Sequence, residues 1–320
     1  MVKAHQGHFE ILKSDMDESC ALLAGLYINA KLFYYTFQRP VSHFFLKRYL
    51  VKHLNKETVF NSIDGFLLNE GGMFKKHVYK MCGNYGPLRD SIVCVPGIGY
   101  GKSLFQLAAF KPKRIVAFDL YEYPEEWKFI EKIIKDKFDV DVVFHKGSLC
   151  DIAEKYKDYF DFVITDEVLE HVCDLKSFAD DIKSVLKNYG IFYAGFGPIW
   201  YGPNGDHIHL GKGRIYDHLL LPEEEYRENL DKRSKNIEQD STEGVFIAKN
   251  KLLSFLPADS YIDMLSGAGF EKLCAFAKIS TEAVSLLRKK PEMHVYLDNK
   301  NAPMFDRFCS GLYLWMRVCK

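Results

Sequence analysis

Short apolar runs alternate with segments of helical periodicity from residue 91 onward. The apolar runs predict strands at 91–96, 114–119, 141–145, 161–165 and 190–197. The segments between them predict helices at 101–109, 124–137, 150–158 and 175–187. Parallel strands need helical crossovers, so this order predicts a doubly wound α/β sheet with helices on both faces. Two later runs, 270–278 and 310–318, predict a final pair of strands.

The two remaining regions do not follow this alternation. Residues 17–55 carry apolar side chains at helical spacing, which predicts a helical appendage over 1–80 before a main domain at 81–320. Residues 200–250 are rich in Gly, Pro, His and acidic residues and are interpreted as an insertion after the fifth strand. Gly190 is predicted to close the helix before that strand.

Glycines at the end of the first strand suggest a binding function. Gly97, Gly99 and Gly101 form a turn in which the backbone can approach a ligand closely, because no Cβ intervenes. Asp119 ends the next strand, where its carboxylate can accept ribose hydroxyls. The arrangement predicts a nucleoside-containing cofactor and leaves its identity open.

Composition restricts the partners. The 320 residues contain 43 Lys+Arg and 43 Asp+Glu, so no net charge attracts nucleic acid or anionic lipid. No apolar stretch is long enough for a membrane span. The eight cysteines form no Cys-x-x-Cys pair, so a structural zinc site is not expected. Several of them lie in apolar strands, where free cysteine acts as a small hydrophobe, which fits a reducing, cytoplasmic setting.

Three segments resemble the class I S-adenosylmethionine-dependent methyltransferases. They are the glycine turn at 93–101, the Phe-Asp-Phe-Val-Ile-Thr-Asp-Glu-Val-Leu-Glu-His-Val segment at 160–172, and the tail segments at 268–271 and 310–313. The resemblance implies a Rossmann-like fold with a seven-stranded, mostly parallel sheet and a terminal antiparallel hairpin. It also implies S-adenosylmethionine as the cofactor.

The resemblance also implies roles for individual residues. Gly97, Gly99 and Gly101 would border the carboxypropyl arm of the cofactor and Asp119 would hold its ribose. Ser148 and Leu149 would flank the adenine, and Asp166 would lie near the amino-acid group. Val95 and Ser148 stand where the family usually has acids, which keeps open a second interpretation: a partner-binding module that has lost turnover.

Two groups of residues could act on the acceptor. His207, beside Asp206 in a Gly/Pro-rich segment, is a candidate base or metal ligand. Glu167, Glu170 and His171 are spaced to share one face of a helix, and with His207 they could bind a divalent metal such as Mg²⁺. Some members of the family use a similar cluster for metal.

The predicted activity is methyl transfer to a hydroxyl of a small-molecule acceptor, such as a sugar, a phenol or a natural-product intermediate. The histidines favour oxygen over nitrogen, because a hydroxyl needs a base to take its proton. A metal-dependent RNA 2′-O-methyltransferase and an NAD-dependent oxidoreductase are alternatives. The oligomeric state is left open.

Overall fold

A single sheet organises the computed structural model, which describes residues 10–11, 86–101, 103–208, 214–234 and 252–320. The strands are β1 Glu10–Ile11, β2 Ile92–Pro96, β3 Arg114–Asp119, β4 Asp141–Lys146, β5 Phe160–Asp166, β6 Leu186–Phe196, β7 Phe270–Ile279 and β8 Cys309–Val318. Their order across the sheet is β1-β7-β8-β6-β5-β2-β3-β4. The predicted fold class is confirmed.

Strand direction follows the predicted pattern. Strands β2 to β6 pair in parallel, whereas β8 is antiparallel to both β6 and β7. A row of register partners joins Asp166 on β5 to Gly195 on β6 and Gly195 to Tyr313 on β8. The terminal hairpin therefore reaches the edge of the sheet at which the parallel strands end.

Helices connect the strands and cover the sheet. They are α1 Leu104–Ala108, α2 Pro124–Phe138, α3 Leu149–Ala153, α4 Leu175–Val185, α5 Asp217–Leu220, α6 Glu223–Ser234, α7 Ala258–Gly267, α8 Thr281–Lys289 and α9 Met293–Asn299, with 3₁₀ turns at Leu169–His171 and Asp306–Phe308. Within the described part of the chain, no helix is long and apolar enough to cross a membrane.

Alternating side chains of the strands form two cores. Cys94 of β2 packs on one face with Phe192 of β6, while Val93 and Val95 pack on the other face with Trp127 of α2. This alternation is the consequence of the two-residue period of a strand whose two faces are both covered.

The predicted role of Gly190 differs from the structure. Helix α4 ends at Val185 and β6 begins at Leu186, so Gly190 lies inside a strand and does not cap the helix. Tyr189 adopts the left-handed backbone conformation there, with φ 62°. The side chain of Tyr189 is exposed. Tyr189 thus takes the left-handed conformation that the sequence suggests for Gly190.

The N-terminal region adds a strand that the helical periodicity does not predict. Glu10–Ile11 pairs in parallel with β7 at the sheet edge. The predicted helices of residues 17–55 lie outside the described residues, as do residues 209–213 and 235–250 of the predicted insertion. Its described part contains α5 and α6.

The strand order places the ligand-binding position. The chain runs outward from β2 through β3 to β4 and then crosses back to β5 on the other side of β2. In open α/β sheets, ligands bind at the carboxyl ends of the strands beside such a reversal. The turns after β2 and β5 therefore face the same crevice.

Candidate active site

The three predicted glycines all take positive φ angles. Gly97, Gly99 and Gly101 have φ values of 67°, 54° and 88°. A Cβ on Gly97 would lie 2.5 Å from Val168, whereas one on Gly99 would meet no atom within 4 Å. A Cβ on Gly101 would lie 2.9 Å from Ile130. The loop is therefore packed at both ends and has open space at Gly99, which suits the approach of a ligand.

Asp119 ends β3 directly beside this loop. Its Oδ2 accepts a hydrogen bond from the Gly99 N–H at 2.7 Å, and its Oδ1 accepts one from the Tyr121 N–H at 3.0 Å. The two backbone donors orient the carboxylate and leave further lone pairs on both oxygens. The carboxylate can therefore accept hydrogen bonds from ligand hydroxyls, and its contact with a ribose remains a prediction.

The predicted adenine residues lie where β4 leads into α3. The backbone N–H of Ser148 donates to Asp151 Oδ2 at 2.7 Å, and its hydroxyl donates to the same oxygen at 2.8 Å. The side chain of Leu149 is buried in the core with Phe118. Contact with a base therefore remains a prediction for Ser148 and for the backbone of Leu149.

Asp166 occupies the end of β5, in the crevice. Burial, with a smaller contribution from the charge of Glu167, raises the pKa of Asp166 to about 7. A Cβ on Gly195 would lie 3.4 Å from Asp166 Oδ1 and 2.7 Å from the Tyr193 hydroxyl. The glycine thus leaves room for a carboxyl and a phenol to approach each other, and a ligand ammonium nearby would favour the charged carboxylate.

Glu170, His171 and His207 converge beside the glycine loop. Each offers one ligand atom, and these atoms lie within 4.8 Å of one another. The rings of His171 and His207 have their centroids 4.7 Å apart. Val168 packs on Gly97 of the glycine loop. Glu170 follows Val168 by two residues, so the cluster lies close to that loop.

The carboxyl group of Glu170 is buried, with a relative exposure of 1% for the residue. Its Oε1 accepts a hydrogen bond from the Gly197 N–H at 2.8 Å, while Oε2 has no hydrogen-bond partner among the described residues. Burial is the main reason that the pKa of Glu170 rises to about 8, with smaller contributions from Glu167 and Asp166.

Each histidine of the cluster is held by the backbone. His171 Nδ1 lies 2.9 Å from the Leu252 carbonyl oxygen, which can accept a hydrogen bond from Nδ1–H. In that tautomer Nε2 carries no proton and can act as an acceptor or a metal ligand. His207 has a φ of 62° and donates its N–H to the Asn204 carbonyl at 2.8 Å. A left-handed conformation is uncommon outside glycine and is enriched at functional sites.

Asp206 does not form the side-chain pair with His207 that their adjacency suggests. Its carboxylate is buried and accepts hydrogen bonds from the Tyr226 hydroxyl at 2.7 Å and the Ile208 N–H at 3.1 Å. His218 Nδ1 lies 3.9 Å from the same carboxylate. Asp206 therefore anchors the turn that carries His207 to α6.

Glu167 is also displaced from its predicted place. The residue is exposed and has a φ of 56°, and its N–H donates to the Gly195 carbonyl at 2.7 Å. The left-handed turn precedes the 3₁₀ turn Leu169–His171, so α-helical spacing does not apply. The cluster in the described structure consists of Glu170, His171 and His207 without Glu167.

Several contacts of the site have no sequence signature. The Leu252 carbonyl binds His171, and the Ser254 N–H donates to the Glu170 carbonyl at 2.7 Å. Both residues follow the insertion and are about 80 positions away in the chain.

Residues 95–194 match the family model described as a methyltransferase domain. The match spans the glycine loop, Asp119 and the turn that carries Glu170 and His171. None of the curated proteins is similar enough to match the chain.

The solved structures to which this chain is similar have low sequence identity with it. A Listeria monocytogenes protein provisionally described as an S-adenosylmethionine-dependent methyltransferase is 13% identical, with a TM-score of 0.47, over 77% of this chain and 99% of the other. The Mesorhizobium loti S-adenosylmethionine-dependent methyltransferase is 13% identical, with a TM-score of 0.44 and the same coverages. The [4+2]-cyclase SpnF is 13% identical, with a TM-score of 0.46, over 77% and 80%.

The family match covers the part of the sheet that carries the glycine loop and the turn after β5. Residues 95–194 are therefore similar to a methyltransferase domain, and S-adenosylmethionine is the cofactor that this similarity implies.

The buried carboxyl of Glu170 predicts a pH dependence of stability. Its pKa of about 8 in the folded protein exceeds its ordinary value of 4.5, so the folded state holds a proton that the unfolded state releases. The free energy of unfolding should therefore fall as the pH rises from about 5 to about 8, by up to about 1.4 kcal/mol per pH unit. Glu170→Gln should make this decline shallower, as measured by urea unfolding of chelator-treated protein, while Asp166 and Asp306, whose pKa values are also raised to about 7, keep a part of it. Glu225→Gln, on the exposed face of α6, should retain it, and equal slopes for wild type and Glu170→Gln would contradict the assignment.

Proposed function

We propose that this enzyme methylates a hydroxyl group of a small-molecule acceptor, with His207 as the group that accepts the hydroxyl proton. The observation that carries the proposal is the convergence of Glu170, His171 and His207 at the sheet edge next to the glycine loop. Bound S-adenosylmethionine supplies an electrophilic methyl group on a sulfonium. This methyl donor is already activated, whereas the acceptor hydroxyl needs a base to take its proton.

The residues around the cluster suit proton transfer. Glu170 is largely protonated near neutral pH, so it can donate a hydrogen bond or hold a proton beside the imidazoles. The Leu252 carbonyl fixes the tautomer of His171 when it accepts a hydrogen bond from Nδ1–H. His207 is held by a turn that is tied to Asn204 and, through Asp206, to Tyr226. Such fixed groups reduce the reorganisation that proton transfer requires.

A small molecule is the acceptor class that the charge supports best. Equal numbers of basic and acidic residues supply no general attraction to nucleic acid, which disfavours the RNA alternative. The thiols of Cys94, Cys150, Cys173, Cys274, Cys309 and Cys319 form no disulfides with one another, in keeping with the proposed cytoplasmic location.

His207→Gln tests the proposed base. With methyl-¹³C S-adenosylmethionine and a panel of sugars and phenols, the carbon chemical shift of the product should identify a methyl ether. His207→Gln should lower kcat about 100-fold, because general-base catalysis contributes at least that much. The affinity for S-adenosylhomocysteine should stay unchanged.

His294→Gln serves as the matched control, since His294 lies on α9 beside Arg307 and away from the cluster. It should retain the wild-type kcat. Methyl transfer to nitrogen or carbon, or full activity of His207→Gln, would contradict the proposal. Binding of S-adenosylhomocysteine without transfer to any acceptor would favour the binding-module alternative.

We also propose that the same cluster can bind a divalent metal ion, which would lower the pKa of acceptor hydroxyls. Two imidazoles and one carboxylate form a ligand set that suits Zn²⁺ and Mn²⁺ better than Mg²⁺, and three protein ligands leave positions for acceptor oxygens. The buried Glu170 Oε2 supports this idea, because a cation would supply the partner that the described residues do not. The Leu252 contact with His171 has the form of the outer hydrogen bond that orients metal-bound histidines.

Calorimetric titration with Zn²⁺, Mn²⁺ and Mg²⁺ tests the metal proposal. Glu170→Gln and His171→Gln should each lower the affinity for the bound ion at least about tenfold. Glu167→Gln, which changes the neighbouring acid outside the cluster, should leave that affinity unchanged. Activity that survives exhaustive chelation would eliminate a catalytic metal, and a metal site lost with Glu167 would show that the cluster is composed differently.

A further inference from the structure

Trp127 of α2 contacts the glycine loop through the Gly99 backbone. It is not among the predicted site residues, and the family match assigns it no role. Its indole Nε1–H donates to the Gly99 carbonyl oxygen at 2.8 Å, and the residue is only 5% exposed. The indole lies flat against Phe144 of β4, with ring centroids 5.0 Å apart and an interplanar angle of 9°. Its position is therefore fixed by packing as well as by the hydrogen bond.

Both polar groups of the Gly99 backbone are bound by side chains. The N–H donates to Asp119 Oδ2, and the carbonyl accepts from Trp127. The end of β3 and helix α2 thus fix the orientation of Gly99. Gly99 is also the loop glycine at which a Cβ would meet no atom within 4 Å, so the fixed residue borders the open space.

The indole contact sets the orientation of the next peptide group. In a trans peptide the carbonyl and the following N–H point in opposite directions. Because the Gly99 carbonyl points to Trp127, the Tyr100 N–H points away from α2. A backbone N–H in that position can bind the carboxylate of an amino-acid ligand, since charge-assisted bonds to oriented backbone donors are strong.

We propose that Trp127 is a positioning residue for the amino-acid end of S-adenosylmethionine. It acts through the Gly99–Tyr100 peptide, while Asp119 serves the nucleoside end. The proposal rests on the cofactor of this enzyme class and is independent of the acceptor and of any metal. It distinguishes the two ends of one ligand, which allows a direct test.

Trp127→Phe tests the proposal, because phenylalanine can keep the stack on Phe144 and lacks the N–H donor. Calorimetry should compare S-adenosylhomocysteine with 5′-methylthioadenosine, which has the nucleoside and lacks the amino-acid end. Loss of one hydrogen bond should weaken S-adenosylhomocysteine about fivefold. The affinity for 5′-methylthioadenosine should stay within about twofold of the wild type.

Two further variants separate loss of the hydrogen bond from loss of packing. Phe144→Leu removes the stacking partner and keeps the indole N–H, so it should lower stability without changing the ratio of the two affinities. Replacement of Trp127 by benzothienylalanine removes the N–H at almost constant shape, and it should reproduce the ratio change even if Trp127→Phe fails to fold.

The outcomes are distinct. A selective loss of S-adenosylhomocysteine affinity in Trp127→Phe or the benzothienylalanine variant supports the proposal. Equal weakening of both ligands would overturn it and leave Trp127 as a packing residue. Failure of the wild-type protein to bind S-adenosylhomocysteine would overturn it together with the cofactor assignment, whereas a failed search for a hydroxyl acceptor would not affect it.

Discussion

The hydrogen bond from the Gly197 N–H to Glu170 joins the two turns on which the site depends. One turn follows β5 and carries Glu170 and His171, and the other follows β6 and leads to His207. A carboxyl group that is 1% exposed would be costly without a donor, so this bond keeps the two turns in register. The Ser254 N–H extends the connection to the segment after the insertion.

The cofactor side of the crevice is organised by a different set of contacts. Gly99 is bound through its N–H by Asp119 and through its carbonyl by Trp127, so β3 and α2 together define the loop after β2. Val168 packs on Gly97 and brings the two halves of the site together. Under the proposed function, binding of the cofactor and deprotonation of the acceptor take place at adjacent turns beside the reversal between β2 and β5.

The sequence predicts the fold and the glycine loop well, because both depend on local patterns. Apolar runs set the strands from β2 to β8, and the placed acid Asp119 follows from the spacing of one helix and one strand. The strand at Glu10–Ile11 escapes prediction because two residues carry no periodicity.

The acceptor side depends on long-range contacts and on backbone conformation. Glu167 leaves the predicted cluster because its φ of 56° breaks the helical spacing on which the prediction rests. Asp206 pairs with Tyr226, twenty residues away, instead of its neighbour His207. The Leu252 carbonyl that orients His171 could not be found from the sequence, because any residue type offers the same atom.

The central claim is that the cofactor loop presents the methyl group to Glu170, His171 and His207. A crystal structure of the complex with S-adenosylhomocysteine tests it most directly. The account predicts that the ribose hydroxyls bind Asp119, that the amino-acid end lies over Gly99, and that the sulfur faces the cluster across Val168. A ligand whose sulfur faces away from His171 and His207, or one bound elsewhere on the sheet, would contradict it.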